Sequence, residues 1–158
     1  MRPVIDFKAQ GMRFYFDVQM DFTKLCDDSG VGKSFLCESL KTALKTYEDT
    51  GKYPVKDKNT LENVPTIVID GLNVTSMYAE EQLARKGTLI VVDEADMLFN
   101  KYSHLGEIVL ENENSIFVLV ARSVIKELPI GYDGYAKIRN ENRKIVVEYF
   151  RDSKKVKG

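Results

Sequence analysis

The segment DDSGVGKS, residues 27–34, holds residue types that can grip a phosphate chain. Gly30 and Gly32 allow a tight turn that points backbone N–H groups at an anion, and the positive end of a following helix adds to that field. Lys33 supplies a mobile cation for the outer phosphates, and the Ser34 hydroxyl suits a divalent cation bound to them. The expected phosphate-binding set is Ser29, Gly30, Val31, Gly32, Lys33, Ser34 and Phe35. One position departs from the pattern GxxxxGK[ST]: Asp27 stands where its first glycine belongs. A carboxylate there adds strain and faces a polyanion, at a cost on the order of 1 kcal/mol or about tenfold in affinity. The expectation is a weakened site.

A second chemical segment is LIVVDEAD, residues 89–96, four apolar residues closed by acids. It reads as a buried strand that delivers Asp93 to a metal ion and Glu94 to a water molecule as general base. A third, SIFVLVARS, is an apolar strand ending in Arg122 and Ser123, groups able to sense a terminal phosphate. Arg122 joins Glu94 as the expected catalytic pair, and Ser34 joins Asp93 as the expected metal ligands. His104, the only histidine, is expected to cap or cover a helix start. Cys26 and Cys37 flank the glycine loop without zinc-ligand spacing and read as free thiols.

These groups need elements to position them. FTKLC is the expected strand entering the loop, although Lys24 is polar for a buried strand. After the loop, Leu36, Leu40, Ala43, Leu44 and Tyr47 recur at helical spacing until Gly51. KYPVKDKNTLENVP lacks periodicity and is expected to be a surface connection. TIVIDGLNV is a strand, Thr75 or Ser76 caps a helix through Leu83 and Ala84, and Leu105, Ile108 and Val109 mark another. Alternating residues on both sides of Gly11, and again in YAKIRNENRKIVVEYF, predict antiparallel hairpins at residues 4–18 and 135–150. The strand-helix alternation between them predicts an α/β fold: a mostly parallel sheet in three layers, flanked by helices.

With DDSGVGKS as Walker A and LIVVDE as Walker B, the chain resembles the P-loop NTPases over roughly residues 20–123. The adjacent Asp93 and Glu94 look like the division that includes RecA and the AAA+ proteins. That resemblance implies a three-layer P-loop NTPase fold, ATP and Mg²⁺ as cofactors, and one strand between the Walker A and Walker B strands. VDEAD also matches the acid motif of the DEAD-box helicases, without their second domain.

Composition narrows the function. At 158 residues with 44% hydrophobic and 30% charged residues, the chain is expected to form one globular domain, residues 1–158. A formal net charge of −1 gives no general attraction to nucleic acid or anionic membrane. No apolar run reaches the ~20 residues of a membrane span and no secretory signal opens the sequence, so a cytoplasmic protein is expected. The preferred reading is an ATP-binding protein with low or partner-stimulated Mg-dependent ATPase activity, its partner another protein or a second copy. Asp27 and the absence of a helical lid motivate a catalytically inactive regulatory module instead. The DEAD segment and the basic KKVK tail motivate a nucleic-acid-dependent ATPase.

Overall fold

The structure, a computed structural model, describes residues 1–26 and 33–152, apart from the side chain of Ser34. The N-terminal hairpin comprises β1 (Pro3–Ala9) and β2 (Met12–Asp17), turning at Gln10 and Gly11, both with positive φ. Next come β3 (Phe22–Leu25), α1 (Lys33–Lys45) and the short α2 (Tyr47–Thr50), which Gly51 ends in the left-handed conformation. β4 (Val55–Asp57) and β5 (Thr66–Asp70) precede α3 (Ser76–Leu83), whose cap is the Thr75 side chain accepting from the Tyr78 N–H. β6 (Leu89–Asp93), α4 (Ala95–Lys101), α5 (Leu105–Glu111) and β7 (Ile116–Val120) follow. A 3-10 turn at Tyr132–Gly134 leads to the hairpin of β8 (Tyr135–Glu141) and β9 (Lys144–Tyr149).

The expected mostly parallel, three-layer P-loop sheet is not the architecture observed. All nine strands form one mixed sheet in the order β4-β1-β2-β9-β8-β3-β7-β6-β5. Parallel pairing joins β5, β6, β7, β3 and β8, whereas β1–β2, β1–β4 and β8–β9 are antiparallel. The two terminal hairpins are not appendages. They meet through a parallel β2–β9 pairing and carry the sheet onward from β3 to its β4 edge.

The sheet is also bent nearly closed. Laid flat, nine strands would span about 38 Å. Yet the edge strands β4 and β5 are consecutive in sequence, and the segment between them folds back on β4. The Asp57 and Val64 N–H groups donate to the Glu62 and Val55 carbonyls at 2.8 and 3.0 Å. Thr66 starts β5 two residues after Val64, a reach of about 7 Å, so the two edges nearly meet. The segment read as a plain connection therefore supplies an edge strand and the turn that draws the edges together.

Closure wraps the sheet around α1. Leu36, Cys37 and Leu40 are buried with Ile5, Phe14 and Phe16 of the N-terminal hairpin and with Val55, Val91 and Val118. On the outer face, Leu83 of α3, Leu98 and Phe99 of α4 and Val109 of α5 cover Ile90, Val92, Phe117 and Leu119. β6 and β7 send alternate residues to each core, which explains why both read as unbroken apolar runs. Lys24 of β3 is tolerated because its ammonium lies over the Tyr135 ring, 5.4 Å from its centre. Among the described residues no helix is long and apolar enough to cross a membrane.

Candidate functional site

The parallel strands end together on the side where the glycine loop begins. β3 runs toward the loop and α1 starts at Lys33 directly after it. β7 lies between β3 and β6, so Arg122 and Ser123 emerge between the loop strand and the strand bearing Asp93. On the far side of β6, Asp70 at the end of β5 is the register partner of Asp93.

Helix α1 ties these ends together. Lys33 and Cys37 are four residues apart and share one face of the helix, and both are buried. Burial, and then the negative charges of Asp93, Glu38 and Glu94, push the Cys37 thiol far up from its ordinary value. Cys37 shares the inner core with Val91, so this face of α1 packs against β6, the strand that ends at Asp93.

The acids are built differently. Asp93 is half-buried, and one of its oxygens, Oδ1, accepts the Glu94 N–H at 3.0 Å. Burial raises its pKa first, and the charges of Glu94, Asp70 and Glu38 add to the rise. A carboxylate held in this way gains from a nearby cation, which suits Mg²⁺. Asp70 is committed to its own turn: it accepts Leu72 N–H at 3.0 Å and the Asn73 side-chain amide at 2.7 Å, and the Asn73 bond leads in lowering its pKa. Glu94 starts α4 with φ 51° and ψ 45°, a left-handed conformation costing a non-glycine residue about 1 kcal/mol. Its carboxylate does not cap α4.

Gly71 holds this corner, and sequence reasoning missed it. Its N–H donates to the Asp93 carbonyl at 2.8 Å. A Cβ at position 71 would lie 2.5 Å from the Asp93 carbonyl oxygen and 2.6 Å from that of Glu94. In the segment TIVIDGLNV this glycine reads as an ordinary turn residue, because the backbone it accommodates lies 22 positions downstream on another strand.

Helix α4 was also missed, since DEAD reads as a strand running into an acidic loop. Its signal was the spacing of Ala95, Leu98 and Phe99, all buried on the outer core. Asp96 in its first turn accepts both the Ser123 hydroxyl at 2.7 Å and the Ser123 N–H at 3.1 Å. Ser123 thus fastens the loop after β7 to α4.

Among the other expected site residues, Arg122 is exposed, with no ion pair or hydrogen bond among the described residues. The Phe35 ring turns into the inner core against Phe14, at 5.3 Å between centres, which leaves only its backbone for phosphate contact. Ser34 lies in the first turn of α1. Its side chain, together with Asp27, Ser29, Gly30, Val31 and Gly32, lies outside the described residues. His104 precedes α5 without capping it; its Nε2 meets Glu80 of α3 at 2.6 Å and Ser76 at 3.3 Å, bracing one helix on the other. Cys26 and Cys37 form no disulfide among the described residues. Among the described residues no three His, Cys, Asp or Glu side chains gather to hold a metal. Mg²⁺ bound through one or two protein groups, phosphates and water does not require such a cluster.

The raised pKa of Asp93 has a measurable consequence. Stability from a carboxyl with a raised pKa is present at low pH and lost as pH climbs through the raised value. Asp93→Asn removes that penalty while keeping an acceptor for Glu94 N–H. The variant should melt above the wild type at pH 7, with the difference fading below about pH 4. Paired melting curves at the two pH values check this, and a lower midpoint at pH 7 would mean that the carboxylate stabilises the fold.

Comparison of the chain with known protein families and with curated proteins finds no match.

Proposed function

We propose that this protein binds ATP with Mg²⁺ at the junction of the glycine loop, α1 and β6, and hydrolyses it slowly or only when a partner stimulates it. The observation that carries the reading is the placement of Lys33 and the two acids. The helix face that carries the buried Lys33 and Cys37 packs against β6, which ends at Asp93, although Lys33 lies 60 and 61 residues from the two acids in sequence. The Walker-like resemblance of DDSGVGKS and LIVVDE supplies the chemical roles. Lys33 reaches the β- and γ-phosphates, Gly30 and Gly32 turn backbone N–H groups onto them, and Ser34 and Asp93 hold the metal. Glu94 accepts a proton from the attacking water, and its carboxylate is not used as a helix cap.

The strained backbone at Glu94 supports a functional use of that residue, since strain of this kind persists where surrounding structure enforces it. The cytoplasm, supplied with ATP and Mg²⁺, is the compartment that fits. Partner stimulation would come from a protein or a second copy contributing charge near Arg122. The regulatory alternative draws on Asp27 and on the absence of a helical lid, and no structural observation favours the nucleic-acid-dependent one.

Calorimetric titration of MgATP into the wild type and Asp27→Gly tests the proposal. Relieving the like charge should tighten binding by about tenfold. Binding in neither protein would refute the ATP site, and equal binding in both would show that the carboxylate faces away from the phosphates.

A further inference from the structure

The loop that follows β7 is fastened along its whole length. Its first residue, Ala121, is buried and donates its N–H to the Leu25 carbonyl at 3.3 Å, beside the entrance to the glycine loop. Further on, Ile125 and Leu128 are buried in the outer core, and a Cβ at Gly106 of α5 would lie 2.6 Å from the Glu127 Cβ. Between these anchors Asp96 of α4 accepts the Ser123 hydroxyl at 2.7 Å and the Ser123 N–H at 3.1 Å, both on the single oxygen Oδ2.

The residue between the first two anchors is Arg122. It is exposed and makes no ion pair or hydrogen bond among the described residues, so a fixed backbone carries a guanidinium without a partner. Its place follows from the sheet. β7 lies between β3 and β6, and Val92 is the register partner of Leu119, so the chain beyond Val120 rises beside Asp93 and Glu94. At a strand spacing of about 4.8 Å, the ends of β3 and β6 lie roughly 10 Å apart with Arg122 emerging between them.

The other oxygen of Asp96 bears on why a carboxylate stands here. Oδ1 is buried and accepts no hydrogen bond among the described residues. A link needed for stability alone is served by an uncharged amide, which is cheaper to desolvate. The carboxylate instead gives the Ser123 hydroxyl a charge-assisted bond, shorter and stronger than a neutral one. It also ties the loop to α4, whose N-cap is Glu94, so the acid and the arginine are set by one bracket.

We infer that Asp96 and Ser123 are positioning residues, which fix the backbone of Arg122 so that its guanidinium meets the terminal phosphate of the bound nucleotide. This role rests on the ATP reading and adds to it the group that tells a triphosphate from a diphosphate. Ser123 does not itself touch phosphate, because its hydroxyl proton and its N–H are both given to Asp96. The planar guanidinium suits two phosphate oxygens at once, and holding its backbone beforehand lowers the ordering cost of that contact.

The test is calorimetric titration with MgADP and with the magnesium complex of the non-hydrolysable β,γ-imido analogue of ATP. The proteins are the wild type, Arg122→Ala, Ser123→Ala, Ser123→Thr and the double alanine variant. The wild type should prefer the triphosphate. Arg122→Ala should reduce that preference by at least about tenfold and Ser123→Ala by about fivefold, and Ser123→Thr should restore it, with MgADP affinity the same throughout. The double variant should fall no further than Arg122→Ala. Both side chains are exposed, so the melting midpoints should change little. A bond that serves structure alone would weaken both nucleotides together or neither, and either result would overturn the assignment. Additive losses in the double variant would overturn it as well, since Ser123 would then act without Arg122. A wild type that binds neither nucleotide would remove the ATP reading and this role with it, whereas equal nucleotide preference in wild type and Ser123→Ala would remove this role alone.

Discussion

Replacing Lys33 by alanine should remove measurable MgATP binding. A charge-assisted hydrogen bond from an ammonium group contributes about 1.5–3 kcal/mol, and that of Lys33 forms in a buried setting where water competes poorly. Loss of the contact then lowers affinity by roughly ten- to more than a hundredfold, which carries an already weakened site beyond calorimetric detection. Because Lys33 is buried, truncation can also loosen the start of α1, so the melting curve has to be recorded alongside. Glu94→Gln provides the contrast. It keeps size and backbone but cannot accept the proton, so it should bind MgATP as the wild type does and lack turnover. Unchanged binding in Lys33→Ala would remove the loop from the site altogether. Turnover surviving in Glu94→Gln would assign the proton to another group.

Gly71→Ala should be the most damaging single methyl group in the fold. The added carbon meets two backbone carbonyl oxygens at 2.5 and 2.6 Å, and backbone cannot rotate away as a side chain can. The ends of β5 and β6 have to separate, at a cost of about 1–3 kcal/mol for overpacking. The Gly71 hydrogen bond to the Asp93 carbonyl lengthens with them. Displacing Glu94 by about 1 Å should cost roughly a hundredfold in hydrolysis, even under conditions where the variant stays folded. Leu72→Ala, altering an exposed neighbour, is the control and should change neither quantity by much. A Gly71→Ala protein with wild-type stability and turnover would show that this corner is softer than its packing indicates.

The contrast between Lys33 and Gly71 shows where the sequence is informative. Glycines, a lysine and a serine at fixed spacing, or two acids after an apolar run, announce their chemistry locally. So do α1, with its helical repeat of Leu36 and Leu40, and the cap at Thr75. Gly71 is silent because its role depends on which strand lies beside β5, a property of the assembled sheet. The sheet itself was half legible for the same reason. Individual strands and both hairpins follow from alternation, but nothing in the spacing of Phe14 or Ile145 says that β2 and β9 pair in parallel. The three-residue β4 is too short to register as a pattern, and it is the strand whose return turn draws the sheet closed. The place of Ser123 at the end of an apolar strand suggests a phosphate sensor, whereas its partner is Asp96, and only the helix that carries Asp96 brings the two together.

The pairing of β2 with β9 also sets a timetable. Gln19, just after β2, donates its N–H to the Tyr149 hydroxyl, 130 residues away. The same hydroxyl lies 2.6 Å from that of Thr23 in β3. During synthesis the hairpin of β1 and β2 leaves the ribosome well before β9, its sheet neighbour across 130 residues of sequence. Until then one flank of β2, rich in phenylalanine, is an unprotected edge open to other chains. Pairing across so many residues slows folding relative to a chain of the same size built from local contacts, and Phe14 and Phe16 stay without their final neighbours until β9 is made.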